Sequence, residues 1–264
     1  MERTRWAVLT LAVALPGCRQ ALDLDGYRVR GEGGGASFGE CVPVPSTWYL
    51  MGSNDGQPDE QPVHEVAVAA FCLDRTEVTV AAYAACAAEG KCTPAFAGGF
   101  CNAGVAGREN HPINCVDWNQ ATAYCKAQGQ RLPTEEEWEY AARGTDGRRY
   151  PWGNAAPSNQ LCWDGEGNDQ GKGNRQSTCA VGAYPSGRSP FGLDDLSGNV
   201  WEWTASGYSS SYSSPRSDTN RVYRGGSWDS DDPSRVRSAA RSRVAPTDRS
   251  VHLGFRCAGS AALP

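Results

Sequence analysis

The sequence predicts an α+β domain of short strands and short helices set in much irregular chain, and three observations predict it. Three segments carry helical spacing with recognisable start and stop signals, several others alternate or run in strand-like fashion, and 31 Gly with 16 Pro break up the 264-residue chain. Leu, Ile and Met are scarce, so the nine Trp, ten Tyr and six Phe must fill the core. The length suits a targeting segment followed by one sizeable domain. A net charge of −5 with scattered acids gives no basic footprint for nucleic acid or for an anionic membrane.

The N-terminus reads as an export signal. Arg3 and Arg5 precede the apolar stretch from Trp6 to Leu15, which fits a signal h-region and is too short to span a bilayer. Leu15-Pro16-Gly17-Cys18 then resembles the lipobox of bacterial lipoproteins, with Cys18 as the lipid attachment site. Pro16 is unusual there, so cleavage and release is the other reading. The expected residence is therefore the bacterial cell envelope, periplasm or outer membrane, with membrane contact only through that lipid; without lipidation the protein would be secreted. Residues 19–40 are Gly-rich and poor in apolar side chains, as a flexible tether would be. Within them Gly35-Ala36-Ser37-Phe38-Gly39 matches the nucleophile-elbow pattern formally, but lacks the strand before and the helix after that give the pattern meaning.

The folded domain is expected over residues 41–259. Val63 to Leu73 alternates as a strand. Thr79 caps a helix running to Glu89 and stopped by Gly90. A second helix covers Asp117 to Gln128 and stops at Gly129, with Trp118, Ala121, Tyr124 and Cys125 on one stripe. Thr134-Glu135-Glu136-Glu137 is a capping box that opens a third helix, ending near Gly144. Thr145 to Pro190 is loop-like in composition. Asn199–Thr204 and Arg221–Trp228 read as strands.

Eleven cysteines minus Cys18 leave ten, an even number with no CxxC pair, which in an exported domain reads as disulfides. Proximity suggests Cys86 with Cys92 and Cys162 with Cys179. His64, His111 and His252 stand alone in sequence and are expected to be structural.

Several ordered motifs then point to a family. They include Met51-Gly52-Ser53, Arg131-Leu132-Pro133-Thr134-Glu135-Glu136-Glu137-Trp138-Glu139-Tyr140-Ala141-Ala142-Arg143-Gly144 and Tyr150-Pro151-Trp152-Gly153-Asn154. Further on come Ser197-Gly198-Asn199-Val200-Trp201-Glu202-Trp203-Thr204, Arg224-Gly225-Gly226-Ser227-Trp228 and Leu253-Gly254-Phe255-Arg256-Cys257. In this order they resemble the formylglycine-generating-enzyme, or sulfatase-modifying-factor, family over residues 41–258. The resemblance implies a C-type-lectin-like fold: a small twisted sheet, two or three short helices and much irregular, ion-stabilised backbone. It also implies a disulfide between Cys125 and Cys257. A second bond of the animal enzymes would join positions matching Ala142 and Ser238, and both partners are missing together.

The family's oxidases hold copper(I) on two thiolates shortly after the Gly-Gly-Ser turn and convert a substrate cysteine to formylglycine. Copper(I) prefers soft sulfur to hydroxyl or carboxylate. Here Ser230 stands at the first thiolate position, the second falls near Pro233 or Ser234, and no cysteine lies between Cys179 and Cys257. Copper is therefore not expected, and no catalytic residue is assigned. The family's groove corresponds to Trp201, Ser227, Trp228 and Ser230, although Trp201 and Trp228 could equally be core packing. By the same resemblance, calcium would be held by Asp195 and Glu202 and by the carbonyls of Gly198 and Val200. Against this, the two acids could cap turns or pair with arginines. Oxygen donors at Asp164-Gly165-Glu166-Gly167-Asn168-Asp169 lie near a second family site, with no ligands assigned.

Asp229, Ser230, Asp231 and Asp232 make an acidic run, read as a solvated loop or as a patch facing a cation. The arginines at 235, 237, 241 and 243 are expected to neutralise it. The functional expectation is an extracytoplasmic domain without copper oxidase activity, whose groove binds a peptide, a glycan or an envelope protein. The rival is an enzyme, either a formylglycine-generating oxidoreductase acting on a protein cysteine or another modifying activity that uses Ser227, Ser230 and Asp231.

Overall fold

The computed structural model describes residues 41–165 and 175–261. Cys18, the tether with its Gly35–Gly39 motif, and Glu166–Asp169 of the second oxygen-donor run lie outside the described residues. Nine strands and three α-helices follow in chain order among the described residues. They are β1 (Cys41–Val44), β2 (Thr47–Met51), β3 (His64–Val68), β4 (Phe71–Asp74), α1 (Val80–Ala88), α2 (Trp118–Ala127), α3 (Glu135–Arg143), β5 (Trp201–Tyr208), β6 (Ser217–Arg224), β7 (Arg241–Val244), β8 (Leu253–Gly254) and β9 (Ala258–Ser260).

The helices begin where the capping chemistry places them. Thr79 accepts from the Ala82 amide, while Asp117 with Gln120 and Thr134 with Glu137 form reciprocal capping boxes. Gly90 and Gly129 follow the first two helices with positive φ. The strands depart further from expectation. The alternating run from Val63 to Leu73 is two strands in different sheets: β3 pairs with β2, and β4 lies between β1 and β9. The small, exposed Ala69 and Ala70 separate them. Asn199 has φ 57°, so the next strand starts only at Trp201. The strand expected to reach Trp228 stops at Arg224, because Gly225 and Gly226 turn the chain at φ 105° and 77°.

Three sheets result: β1-β4-β9, β2-β3, and a four-stranded sheet in the order β7-β6-β5-β8, in which only β5 and β8 run parallel. One apolar cluster seats α1 and α2 against Trp203 and Phe255, with Tyr83 stacked on Tyr124 at 5.5 Å. A second packs Tyr49, Met51, Phe71 and Leu73 against Trp138 and Tyr140 of α3. All ten described cysteines are paired: Cys41–Cys72, Cys86–Cys92, Cys101–Cys115, Cys125–Cys257 and Cys162–Cys179.

The acids of α3 do something its sequence does not advertise. Glu135 and Glu139 are fully buried and clamp Arg224 of β6, itself fully buried, at 2.6 and 2.8 Å. Arg241 pairs with Glu135 and Arg143 with Glu139, while Arg237 forms a bidentate pair with Glu60. Arg237 and Arg241 therefore have their direct partners elsewhere than in the run from Asp229 to Asp232, and Arg243 lies over the Tyr208 ring. Asp232 is held below the ordinary aspartate range by the Ser234 contacts first and then by the charges of Arg235 and Arg237. Burial without partners would cost several kcal/mol per ion, so this lattice fixes α3 to the four-stranded sheet.

Candidate groove and buried carboxylate cluster

The Gly225-Gly226 turn places the groove. A Cβ on Gly225 would meet the Trp138 ring at 3.1 Å, and one on Gly226 would meet Val236 Cγ1 at 2.7 Å. Only glycine permits that approach at these φ values. The turn delivers Ser227 to a cavity of about 400 Å³ whose lining includes Trp201, Tyr223, Asp229, Arg235, Arg249 and His252.

Of the groove residues expected from sequence, the cavity brings together Trp201 and Ser227. Trp201 is half-buried and packs edge-on against Tyr223 at 5.1 Å. Trp228 is 6% exposed, donates from Nε1 to the Val251 carbonyl and lies 5.1 Å from the His252 ring, so it backs the cavity from behind. Ser230 is 4% exposed, and its hydroxyl accepts from the Ser227 amide at 3.0 Å. At the first thiolate position there is thus a buried hydroxyl that pins the loop. No described cysteine is a free thiol, and the Cys162 and Cys179 sulfurs are bonded to each other.

Asp229 is the residue that sequence reasoning undervalued. Its Oδ1 accepts from Ser227 Oγ at 2.6 Å and lies 3.1 Å from His252 Nδ1. Burial pulls its carboxyl upward, but the contacts with His252 and Ser227 outweigh that and hold it below the ordinary aspartate range. His252 lies 23 positions along the chain in a separate loop, and no local pattern links the two. Asp231 and Asp232 are exposed, with Asp232 accepting from the Ser234 amide. His64 packs against Tyr212 with the rings tilted by 43°, and His111 meets the Thr178 hydroxyl.

The segment from Asp195 to Glu202 runs beneath the groove. Asp195 has φ 59° and accepts the Gly182 amide at 2.6 Å. Gly198 has φ 82°, and a Cβ there would lie 2.5 Å from the Cys162 carbonyl. Val200 is fully buried. Glu202 is held by Arg256 through both oxygens, at 2.7 and 2.8 Å, and also by Trp138 Nε1 at 2.8 Å. Glu77, not selected from the sequence, completes the cluster: it is 2% exposed and neither carboxylate oxygen has a hydrogen-bond partner. Burial first, then the Asp195 charge, push the Glu77 carboxyl well above its ordinary value. Burial likewise pushes Asp195 up to about 6.

Unpaired buried carboxylate oxygens beside a second carboxylate are a donor set for a hard divalent cation. Among the described residues no three His, Cys, Asp or Glu side chains gather as metal ligands, so a cation here would rest on backbone carbonyls as well. No helix of the described residues is long and apolar enough to cross a membrane.

Comparison with known proteins places this geometry. Residues 33–261 match the family model for the sulfatase-modifying factor enzyme 1-like domain. The chain is 35% identical over 272 residues to the inactive C-alpha-formylglycine-generating enzyme 2 of Mus musculus, covering 84% of this chain and 86% of that protein. To the formylglycine-generating enzyme of Streptomyces coelicolor it is 36% identical over 284 residues, covering 84% and 90%. The solved structure of PvdO from Pseudomonas aeruginosa superposes with a TM-score of 0.64 at 28% identity, over 87% of this chain and 100% of that one. CarF, at 20% identity and a TM-score of 0.62 over 83% and 97%, shares the fold.

Proposed function

We propose a binding role rather than copper oxidation for this chain, which belongs to the family of sulfatase-modifying factor enzyme 1-like domains. Its groove would receive a peptide, a glycan or an envelope protein on the extracytoplasmic side of the membrane. The observation that carries this reading is Ser230: a hydroxyl committed to the Ser227 amide stands where a thiolate is required, and every described cysteine is tied up in a disulfide. Oxygen at that position is a poor ligand for copper(I). That one relative bears the name of an inactive enzyme supports the reading, while the Streptomyces relative is named as an active one.

The decisive experiment incubates the purified protein with copper(I), oxygen and a Cys-x-Pro-x-Arg peptide. No aldehyde is the expected result; conversion of the peptide cysteine to formylglycine would end the proposal. A second reading is favoured by one contact, the Asp229–His252 pair beside the Ser227 hydroxyl. A carboxylate 3.1 Å from an imidazole biases that ring by charge, although His252 Nδ1 makes no hydrogen bond, and such a pair is a candidate general base without sulfur. Retained turnover of any groove ligand that disappears in His252→Gln would select this second reading.

Calcium is proposed as a structural ion, with Asp195 and the Gly198 and Val200 carbonyls as family-derived ligands and Glu77 added; Glu202, the remaining family position, has both oxygens engaged by Arg256 and Trp138 Nε1 and would have to give up one of them to join. The orphaned Glu77 oxygens support it. Export with lipid attachment at Cys18 is proposed from the signal-like N-terminus, and five disulfides support an oxidising compartment.

A further inference from the structure

We propose that this protein carries a second binding site, independent of the groove: an arginine-lined pocket for a tetrahedral oxyanion, phosphate or sulfate, free or esterified to a small molecule. The cavity measures about 290 Å³, and its lining includes Ser53, Asp55, Arg143, Arg148, Arg149 and Arg237. No lining residue is shared with the groove. Its volume falls near the lower end of small-molecule sites, roughly 300–1,000 Å³.

Four guanidinium groups meet here, and their partners do not use them up. Arg237 is matched by Glu60, and Arg148 by Asp146. Arg143, 8% exposed, donates from Nη1 to Glu139 and the Gly52 carbonyl and from Nη2 to the Gly147 carbonyl. Glu139 is shared with Arg224, so it does not neutralise Arg143 alone. The Arg143 Nε–H is buried and has no partner at all. Arg149, exposed at the rim, makes no side-chain hydrogen bond or ion pair among the described residues, while its backbone amide is fixed by Asn154 Oδ1 at 2.8 Å. The one acid of the lining, Asp55, is itself exposed.

An oxyanion suits a lining of four arginines and one exposed acid, because its several lone pairs accept from guanidinium forks and a hydroxyl at once. Arg149 would supply the uncommitted fork at the mouth and Ser53 a hydroxyl, with Arg143, Arg148 and Arg237 as the cationic wall. The groove is different in kind: two acids, Asp229 and Asp248, share its lining with Arg235 and Arg249, and Arg249 is already paired with Asp117.

The test is calorimetric titration of the whole chain with inorganic phosphate, sulfate, phenyl phosphate and acetate at matched ionic strength. One saturable site per chain for phosphate or sulfate is expected, with acetate much weaker. Arg149→Ala, an exposed change that leaves the fold intact, should weaken binding by about tenfold, and Arg235→Ala in the groove should leave it unchanged. The Arg149 Nε–H resonance should shift on saturation. Tighter binding of phenyl phosphate than of phosphate assigns an ester ligand, and the reverse assigns the free ion. Overturning results are no saturable site, acetate binding as tightly as phosphate, or Arg149→Ala binding like the unaltered chain.

Discussion

Glu77 and Asp195 hold carboxylates where burial penalises charge, and Asp74, pushed up to about 6 by burial, behaves likewise. A carboxyl whose value is raised in the folded state favours the protonated form. Its contribution to stability is present below its unfolded value, near ~4, and is lost as pH rises through about 6. Without calcium, Asp195 and Asp74 should therefore each remove about 3 kcal/mol of stability as pH climbs from 4 to 7. Glu135 acts oppositely: burial pulls it upward, but Arg224 and Arg241 hold it below its usual value, so its contribution fades only in stronger acid. Thermal melts at pH 5 and 7 in chelator should show the loss, and calcium should reverse the share due to Asp195 and Glu77. Glu77→Gln should raise the melting temperature in chelator and blunt the response to calcium. A melt indifferent to calcium at pH 7 would remove the ion from the account.

The helix α3 joins what the sequence announces to what it conceals. Thr134 and Glu137 cap each other's amides, and Thr134→Ala should cost about 1 kcal/mol in urea denaturation. Glu135→Ala should cost more, about 3–5 kcal/mol, because Arg224 and Arg241 would lose a shared partner at zero exposure. Equal small losses for both variants would mean that water reaches the pair. The capping box is legible because it is local, spanning four residues. The inward turn of Glu135 and Glu139 is not, since acids on a helix ordinarily read as a solvated face and Arg224 and Arg241, which hold them inside, come from β6 and β7.

Across the whole molecule, the disulfides differ in reach. Cys125–Cys257 spans 132 positions and ties α2 to the end of the domain, whereas Cys86–Cys92 spans six. In the chain-entropy model, loss of the first should cost about 5 kcal/mol and loss of the second about 2. Paired Cys→Ala variants melted in urea would rank them, and an inverted order would show that native packing rather than loop length sets the effect. At the N-terminus, Cys18→Ser should release the protein from membranes in a host that processes lipoproteins. Fractionation and mass spectrometry of the mature chain would check this.

By itself the sequence determined the three helices with their caps, the family, and the want of a thiolate near Ser230, because each is written in contiguous residues or in a residue type that is simply missing. It misplaced strands where chain direction changed without a strong local signal: at Ala69-Ala70, at the left-handed Asn199 and at Gly225-Gly226. Only the tertiary structure brought Asp229 to His252, left Glu77 without a hydrogen-bond partner beside Asp195, and gathered Arg143, Arg149 and Arg237 around one cavity. Those meetings join residues up to 118 positions apart. Their energies depend on burial and on partners contributed by separate elements, and neither quantity exists until the chain has packed.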